Sequence, residues 1–492
     1  MHTFPAKALW SKELMSKSLI IIGGGVAGLS AGCYAQMNDF NSEIYEMHNI
    51  AGGLCTAWQR KEFTFDLCVM WLVGSSPKSM LYTLWEELGV TQGRGFVSYP
   101  FFDHALDENG NRFISYTNPD KLREHMLSFS QEDEALITDI TDDVKKLMEV
   151  GVFDPEYVKV REKYSMPVSE LAARFNDPIL RNLFTYAFDD FRDMSAVVVL
   201  MTLASMSSGD GLYPIGGSRP LAQAIEKRYL SLGGTISYNS RVEKILVEDD
   251  IAVGVRLADG TEKRGDLVLS TADGHTTIFK WLNGTYSNDT VKGIYETLEP
   301  YPPIIFVSLG ISGDYSDEPH FVSFRLRTPI NVGGEEIRQL SLRNHSIDNT
   351  MAPKGKTVFT LMIPTRYDYW ASLRDKQREY LAEKEKIKQS VINAIAELYP
   401  DINNKVEVVD VATPLTFVRF TGNWRGSYQG WLLTREAMRI QVPVTLPKLA
   451  NFYMAGHWVM PGGGLPAAAM AGRRAVELMC SNENKRFVTS RP

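Results

Sequence analysis

The stretch Ser18–Met47 constrains the fold more than any other part of this chain. It opens with LIII at 19–22, an apolar run typical of a strand buried on both faces. GGGVAG follows at 23–28 and matches G-x-G-x-x-G, and small residues then continue into a helical pattern. A second short strand ends on Glu46, near the spacing of about 20 residues at which dinucleotide-binding folds place an acid. The stretch predicts a strand–turn–helix–strand unit of a Rossmann-type α/β fold, in which Glu46 accepts hydrogen bonds from an adenosine ribose.

Each glycine of this motif has a physical task. Gly23 permits the tight turn, Gly25 lets the backbone approach a pyrophosphate, and Gly28 lets helix and strand pack closely. The first helical turn, with Val26 and Ala27, leaves backbone N–H groups free for phosphates at the positive end of the helix dipole. At this point both NAD and FAD remain open as the ligand.

Composition narrows the class of protein. A net charge of −7 argues against a nucleic-acid partner, which usually meets a basic face. The four cysteines (Cys33, Cys55, Cys68, Cys480) show no C-x-x-C spacing, so we expect reduced thiols in a cytosolic compartment. The eight histidines show no pair at metal-binding spacing, so no metal site is expected. The sequence contains no G-x-S-x-G motif, so it gives no support for hydrolase chemistry.

Membrane insertion is not expected from the sequence. No apolar run approaches the roughly 18–20 residues that span a bilayer. Residues 1–17 lack the apolar centre of a signal peptide and are interpreted as an N-terminal extension. We therefore predict a cytoplasmic protein whose membrane contact, where there is one, is peripheral.

A glycine pair, Gly52-Gly53, follows Glu46 in NIAGGLCTAW and can close a loop over the same pyrophosphate. With this pair the chain begins to resemble the FAD-dependent amine oxidase superfamily, and within it the phytoene desaturase, carotenoid isomerase and retinol saturase group. Many members continue as GGR, whereas this chain has Leu54, which removes one charged phosphate contact. FTFD at 63–66 is similar to the F-x-F-D stretch of the superfamily, where the chain passes the flavin.

Three later segments extend the resemblance. A helix predicted at 220–232 leads to a strand on which Val242 matches a residue that contacts the adenine of FAD through its backbone. The strand that runs into Ala272 resembles the one that returns to the FAD-binding domain. The block 413–431 is similar to the TPxTFxRxTGNxxGxxxGW segment of bacterial phytoene desaturase relatives.

The C-terminal stretch at 451–479 resembles the second FAD signature of the superfamily. Gly456, Gly464 and Leu465 belong to a turn and to the start of a helix whose positive end can stabilise charge on the flavin pyrimidine ring. His457 follows in this flavin-facing turn, where it could orient a substrate or protonate an intermediate. His457, together with Asp66 of the F-x-F-D stretch, is therefore a candidate catalytic residue.

The resemblance implies an α/β fold with an FAD-binding Rossmann-type domain, a mixed-sheet substrate domain and a helical lid or membrane-facing region. The predicted boundaries are an extension at 1–17, a discontinuous FAD-binding domain at 18–117, 211–300 and 440–485, a helical lid at 118–210 and a substrate-binding domain at 301–439.

The implied activity is that of an FAD-dependent oxidoreductase acting on C=C or CH–CH bonds of a lipophilic polyene or isoprenoid. Desaturation, saturation and cis–trans isomerisation all remain open, as do quinone, O2 or NAD(P)H as electron partner. One alternative is an amine or protoporphyrinogen-type oxidase, and a second is a non-catalytic prenyl-lipid binder on the same fold. An aromatic pair facing the flavin would favour amines, whereas a long apolar channel open to the surface would favour polyenes.

Overall fold

The structure, a computed structural model, describes residues 16–150 and 154–490. Most of the predicted N-terminal extension, 1–17, lies outside the described residues. Within them the chain forms the strands β1 Ser18–Ile22, β2 Asn41–Tyr45, β3 Ala57–Arg60, β4 Phe63–Asp66, β5 Leu72–Val73, β6 Phe96–Val97, β7 Phe101–Leu106, β8 Arg112–Tyr116, β9 Gly211–Pro214, β10 Thr235–Ser237, β11 Val242–Glu248, β12 Ile251–Leu257, β13 Glu262–Arg264, β14 Leu267–Ser270, β15 Ile304–Ser312, β16 Phe321–Val332, β17 Glu335–Asn344, β18 Lys356–Pro364, β19 Val406–Ala412 and β20 Phe452–Met454.

The α-helices are distributed between and after these strands. They are α1 Val26–Met37, α2 Tyr82–Glu87, α3 Pro119–Leu127, α4 Glu134–Glu149, α5 Pro155–Lys163, α6 Val168–Ala172, α7 Pro178–Ala187, α8 Val197–Ser207, α9 Ser218–Ser231, α10 Asp289–Thr297, α11 Tyr367–Ala371, α12 Gln377–Ile395, α13 Pro414–Thr421 and α14 Gly464–Asn482.

A parallel five-stranded sheet holds the N-terminal motif. Its order is β10-β2-β1-β14-β20, so it takes strands from three separate parts of the chain. The apolar run of β1 is buried, and α1 and α14 pack together beside it, joined by a hydrogen bond from Ser30 Oγ to the Ala469 carbonyl oxygen at 2.7 Å. This arrangement confirms the predicted Rossmann-type α/β class.

A mixed seven-stranded sheet forms the second layer, in the order β19-β15-β18-β17-β16-β7-β8. Its apolar face packs against α12, where Ile387, Val391 and Ile395 are fully buried. The edge pair β7–β8 joins it through a parallel pairing of β7 with β16, with Val322 opposite His104. β7 and β8 thus extend the mixed sheet although they lie within the predicted segment 18–117, and the predicted domain boundaries stay a prediction.

The region predicted as helical, 118–210, contains α3 to α8 and shares an apolar core with β7 and β8. The apolar run at 196–206 forms most of α8, and Leu200 and Leu203 lie in that core. Among the described residues, no helix combines the length and the apolar character needed to cross a bilayer.

Candidate cofactor and substrate site

One large cavity lies between the parallel sheet, the mixed sheet and the helical region. Its volume is about 2130 Å³, whereas a pocket for one drug-sized ligand measures roughly 300–1,000 Å³. The cavity therefore has room for a dinucleotide and a second ligand together.

The predicted site residues converge on this cavity. Those that line it are Gly23, Gly25, Val26, Ala27, Glu46, Gly52, Gly53, Leu54, Asp66, Val242, Ala272, Gly456, His457, Gly464 and Leu465. Gly28, which was also predicted as a cofactor-binding residue, does not line the cavity, and its role in the structure is to let α1 pack against the turn.

The glycine motif shows two different steric constraints. A Cβ added to Gly28 would lie 2.0 Å from the Gly23 carbonyl oxygen, so only glycine allows α1 to approach the turn this closely. A Cβ added to Gly25 would meet nothing nearer than the Gly53 Cα at 4.0 Å, so Gly25 instead leaves open space toward the cavity. The Gly52 N–H donates to the Gly24 carbonyl oxygen at 2.8 Å and brings the second glycine loop against the first.

The Glu46 carboxylate lies at the end of β2 and is nearly buried. Its Oε2 accepts a hydrogen bond from the Gly24 N–H at 2.7 Å, and its Oε1 accepts one from the His48 N–H at 2.9 Å. These bonds hold the glycine turn, and each carboxylate oxygen keeps a further lone pair that can accept from a ribose hydroxyl.

Two helices begin at the wall of this cavity without a side-chain cap. Gly25 precedes α1 and Gly463 precedes α14, and neither helix has an acidic residue in its first turn. Their first N–H groups therefore lack intrahelical partners. Val26 and Leu465, in the first turns of α1 and α14, line the cavity, so the positive ends of both helix dipoles lie at its wall.

Leu54, which follows the glycine pair, packs against an apolar cluster that includes Phe417 of α13. Three residues along this helix, the Phe420 ring lies 5.2 Å from the His48 ring, so α13 runs beside the 48–54 loop. Arg419 lies between these two contacts, is exposed and lines the cavity. The structure thus places Arg419 on the cavity wall, with its guanidinium 4.6 Å from the centre of the Phe420 ring, on a helix that packs beside the glycine loop.

Asp66 is buried and fully engaged by neighbouring donors. Its Oδ2 accepts from the Ser218 N–H at 2.6 Å, and its Oδ1 accepts from the Ser218 hydroxyl at 2.6 Å and the Cys68 N–H at 3.1 Å. Burial raises the pKa of Asp66 to about 6, although the hydrogen bonds from Ser218 act in the opposite direction. The carboxylate ties β4 to the start of α9, and its role as a catalytic residue stays a prediction.

His457 lies in the turn after β20 and faces the cavity. Among the described residues it contacts the Trp458 ring, with ring centroids 5.5 Å apart. Burial lowers the pKa of His457 to about 4, so the imidazole is neutral at neutral pH. A neutral ring is suited to orienting a ligand by hydrogen bonds rather than to donating a proton as an imidazolium.

The other half of the cavity is mostly apolar and extends to the protein surface. Its walls include Trp71, Phe102, Met194, Val198, Phe321 and Leu432. At the mouth, Met80, Met148 and Met201 line the cavity while their side chains are 69%, 37% and 37% exposed. We call these three residues the methionine rim.

Within the part of the chain that the structure describes, no group of three or more His, Cys, Asp or Glu side chains is arranged to hold a metal ion. The donors at the cofactor half are backbone N–H groups of the glycine turns and helix starts. Such donors suit phosphates rather than a cation.

Comparison with known proteins identifies the family. The family model for flavin containing amine oxidoreductases matches residues 26–480. The chain belongs to this family. Its cofactor is FAD, and it is an FAD-dependent oxidoreductase, as the sequence motifs predicted.

Several curated relatives share nearly the whole length of the chain. The prolycopene isomerase of Arabidopsis thaliana is 24% identical over 94% of this chain and 82% of its own length. The prolycopene isomerase of Daucus carota is also 24% identical, over 94% of this chain and 79% of its own length. The 4,4'-diaponeurosporene oxygenase of Staphylococcus aureus is 22% identical over 96% of this chain and 99% of its own length.

Solved structures show the same fold. An oxidoreductase from Methanosarcina mazei has a TM-score of 0.63 and 15% identity, covering 94% of this chain and 100% of its own. A putrescine oxidase variant has a TM-score of 0.61 and 12% identity, covering 94% of this chain and 99% of its own. At such identities the likeness concerns the fold alone.

The geometry of the cofactor half fits FAD. The uncapped start of α1, with open space at Gly25, suits a pyrophosphate, and Glu46 suits the ribose. The uncapped start of α14, which also lines this cavity, suits the electron-rich side of a flavin ring. The two helix starts come from opposite ends of the sequence.

Sequence reasoning missed several residues that line this cavity. Arg419 is the arginine of the TPxTFxRxTGN block, but the motif alone assigned it no role, and its place on the cavity wall becomes visible only through the packing of α13. Tyr99, His320 and Arg343 also line the cavity, but they come from three separate segments. No spacing in the sequence could have grouped them.

Substitution of the two motif glycines separates ligand contact from folding. We expect Gly25→Ala to leave the unfolding free energy of the FAD-free protein unchanged or raised by about 0.4–1 kcal/mol, while FAD affinity falls about 10-fold or more. Gly28→Ala is the matched variant and should lower the unfolding free energy by about 2 kcal/mol or more, because its methyl group meets backbone. Chemical denaturation and flavin fluorescence titration measure the two effects, and equal loss of stability in both variants would contradict the assignment.

Removal of the Arg419 charge tests whether this residue assists the Gly52-Gly53 loop in binding the phosphates of FAD. Arg419→Ala should weaken FAD binding about 5- to 10-fold at low salt, and less at high salt, since an exposed guanidinium is screened. The control is Arg378→Ala, an exposed arginine on α12 away from the cavity. A flavin titration at two salt concentrations decides the point, and equal FAD affinity in both variants would exclude Arg419 as a phosphate contact.

Proposed function

We propose that this protein uses FAD to desaturate, saturate or isomerise the C=C or CH–CH bonds of a lipophilic polyene or isoprenoid. The observation that carries the proposal is the single cavity, which joins the FAD half to an apolar half that opens at the methionine rim. The relatives named for prolycopene and diaponeurosporene support it, because they share nearly the whole length of the chain.

The chain's own residues have limited tasks in this chemistry. Bound flavin supplies hydride acceptance or donation. The aromatic and aliphatic walls, such as Trp71, Phe102 and Leu432, hold an apolar chain and exclude water from the reacting carbons. His457 orients the polyene beside the α14 turn as a neutral ring. The methionine rim gives the chain its entry and is the place where we propose peripheral membrane contact.

An amine oxidase activity is the second candidate, and one observation favours it. Tyr301 and Tyr428 line the cavity as an aromatic pair, with ring centroids 5.6 Å apart and planes inclined by 65°. The Tyr301 hydroxyl donates to the Gly462 carbonyl oxygen at 3.1 Å, which places the pair beside the α14 turn. Electron-rich rings of this kind can hold an amine. We favour the polyene because the apolar half continues far beyond this pair to the rim.

Anaerobic incubation of the FAD-loaded protein tests the proposed function. We expect a carotenoid, retinoid or other unsaturated lipid to bleach oxidised flavin, to reoxidise reduced flavin, or to change its double-bond geometry without net flavin change. Flavin absorption and chromatography of the lipid products measure these outcomes. A panel of primary amines and polyamines is the control, and bleaching by amines with no change in any lipid would establish the second candidate instead.

The pH dependence of turnover tests the role of His457. Because the pKa of its buried ring lies near 4, kcat/KM should show no inflection between about pH 6 and 8 that belongs to this residue. His457→Gln keeps a hydrogen-bonding side chain and should retain more activity than His457→Ala, with FAD affinity unchanged in both. An inflection near neutral pH that disappears in His457→Gln would show that the ring acts as an acid or base.

A further inference from the structure

Three polar side chains meet where neighbouring strands of the mixed sheet begin or end, within the apolar half of the cavity. Tyr99 precedes β7, His320 precedes β16, and Arg343 is the next-to-last residue of β17. β7 and β16 run parallel, while β17 runs antiparallel to β16, so the starts of β7 and β16 lie beside the end of β17. Register places Phe321 directly opposite Arg343. We call Tyr99, His320 and Arg343 the polar trio.

The trio is held in place by aromatic contacts. The Tyr99 ring stacks on the His320 ring, with centroids 3.8 Å apart and planes inclined by 11°. Phe101 stacks on His320 as well, at 4.6 Å. The Arg343 guanidinium lies 5.5 Å from the centre of the Phe321 ring, and this arginine is only 8% exposed. Such packing fixes the position of the polar atoms without using their hydrogen-bonding capacity.

Two members of the trio have hydrogen-bonding capacity left over. Among the described residues, neither the Tyr99 hydroxyl nor the ring nitrogens of His320 have a hydrogen-bond partner, and both residues line the cavity. Burial lowers the pKa of His320 to about 3, so its ring is neutral and offers one N–H donor and one acceptor. Arg343 keeps other contacts in the protein, and its positive charge acts on the Tyr99 hydroxyl together with the negative charges of Asp348 and Asp66.

A chain made only of carbon and hydrogen would leave these groups unmatched. A donor that loses water to an apolar ligand without gaining an acceptor is costly, and such sites discriminate strongly against ligands that lack the polar group. An acceptor oxygen beside the trio would take a hydrogen bond from the Tyr99 hydroxyl and from His320. The nearby positive charge favours a carbonyl dipole or a carboxylate over a methyl group.

We propose that the polar trio binds an oxygen-bearing group, a carbonyl or carboxylate, on the otherwise lipophilic substrate. The inference rests on the proposed function and deepens it, since it changes the substrate class from a plain hydrocarbon polyene to an oxygenated one. Apolar contacts along the cavity bind the chain, and the trio fixes its register relative to the flavin.

Binding of a matched ligand set tests the inference without turnover. The set consists of polyene chains of equal carbon number that end in a methyl group, an aldehyde or a carboxylate. Quenching of protein tryptophan fluorescence gives Kd for each, with Trp71 in the cavity wall as a reporter. We expect the oxygenated chains to bind about 10-fold more tightly than the methyl-ended chain.

Two variants assign that preference to the trio. Tyr99→Phe and His320→Phe each keep an aromatic ring in the stack and remove only polar atoms, so both should reduce the preference about 5- to 10-fold while the methyl-ended chain binds as before. Phe102→Leu is the control, because it alters an apolar part of the same wall and should weaken all three ligands alike. Thermal unfolding checks that each variant folds, and either Phe variant alone suffices for the comparison.

Each result separates this inference from the proposed function. Equal binding of all three chains to the unaltered protein, or an equal loss for all three in the folded Phe variants, would overturn the role of the trio. Turnover of hydrocarbon polyenes as efficient as that of oxygenated ones would leave the proposed function standing and overturn this inference alone. An oxygen preference that depends on Tyr99, with no lipid turned over in either flavin state, would overturn the proposed function and support this binding site.

Discussion

The close approach of α1 to the turn after β1 is the contact on which the cofactor half depends. Gly28 lies against the Gly23 carbonyl oxygen, and the Thr271 hydroxyl donates to that same oxygen at 3.0 Å and so joins β14 to the turn. Glu46 and the Gly52 N–H then bind the next residue, Gly24, from two sides. A widening of this turn would move the helix start, the acid and the second glycine loop together.

The cofactor half could be predicted because its chemistry is local to short backbone motifs. The local sequence determines the conformation of the turns that contain Gly25, Glu46 and Gly456. The structure brings all three residues to one cavity. The apolar half has no such signal. Tyr99, His320 and Arg343 become neighbours only through the pairing of β7, β16 and β17, which joins distant parts of the chain.

The two candidate catalytic residues show how burial changes the meaning of an ionisable group. The Asp66 carboxylate accepts three hydrogen bonds and thereby joins two segments of the wall. Burial raises its pKa. The His457 pKa is lowered, so its ring carries no charge at neutral pH. A family whose cofactor performs the redox step requires few charged acids and bases from the protein. The catalytic roles of both residues stay predictions, and the structure shows the shape and the hydrogen bonds that they contribute to the cavity wall.

The methionine rim has a consequence for selectivity. Methionine is unbranched and polarizable, so Met80, Met148 and Met201 can repack around chains of different cross-section at little energetic cost. An adaptable entrance admits many lipophilic molecules and cannot by itself choose among them. Discrimination then depends on the polar trio of the mixed sheet, so that admission and recognition are carried by different parts of the chain.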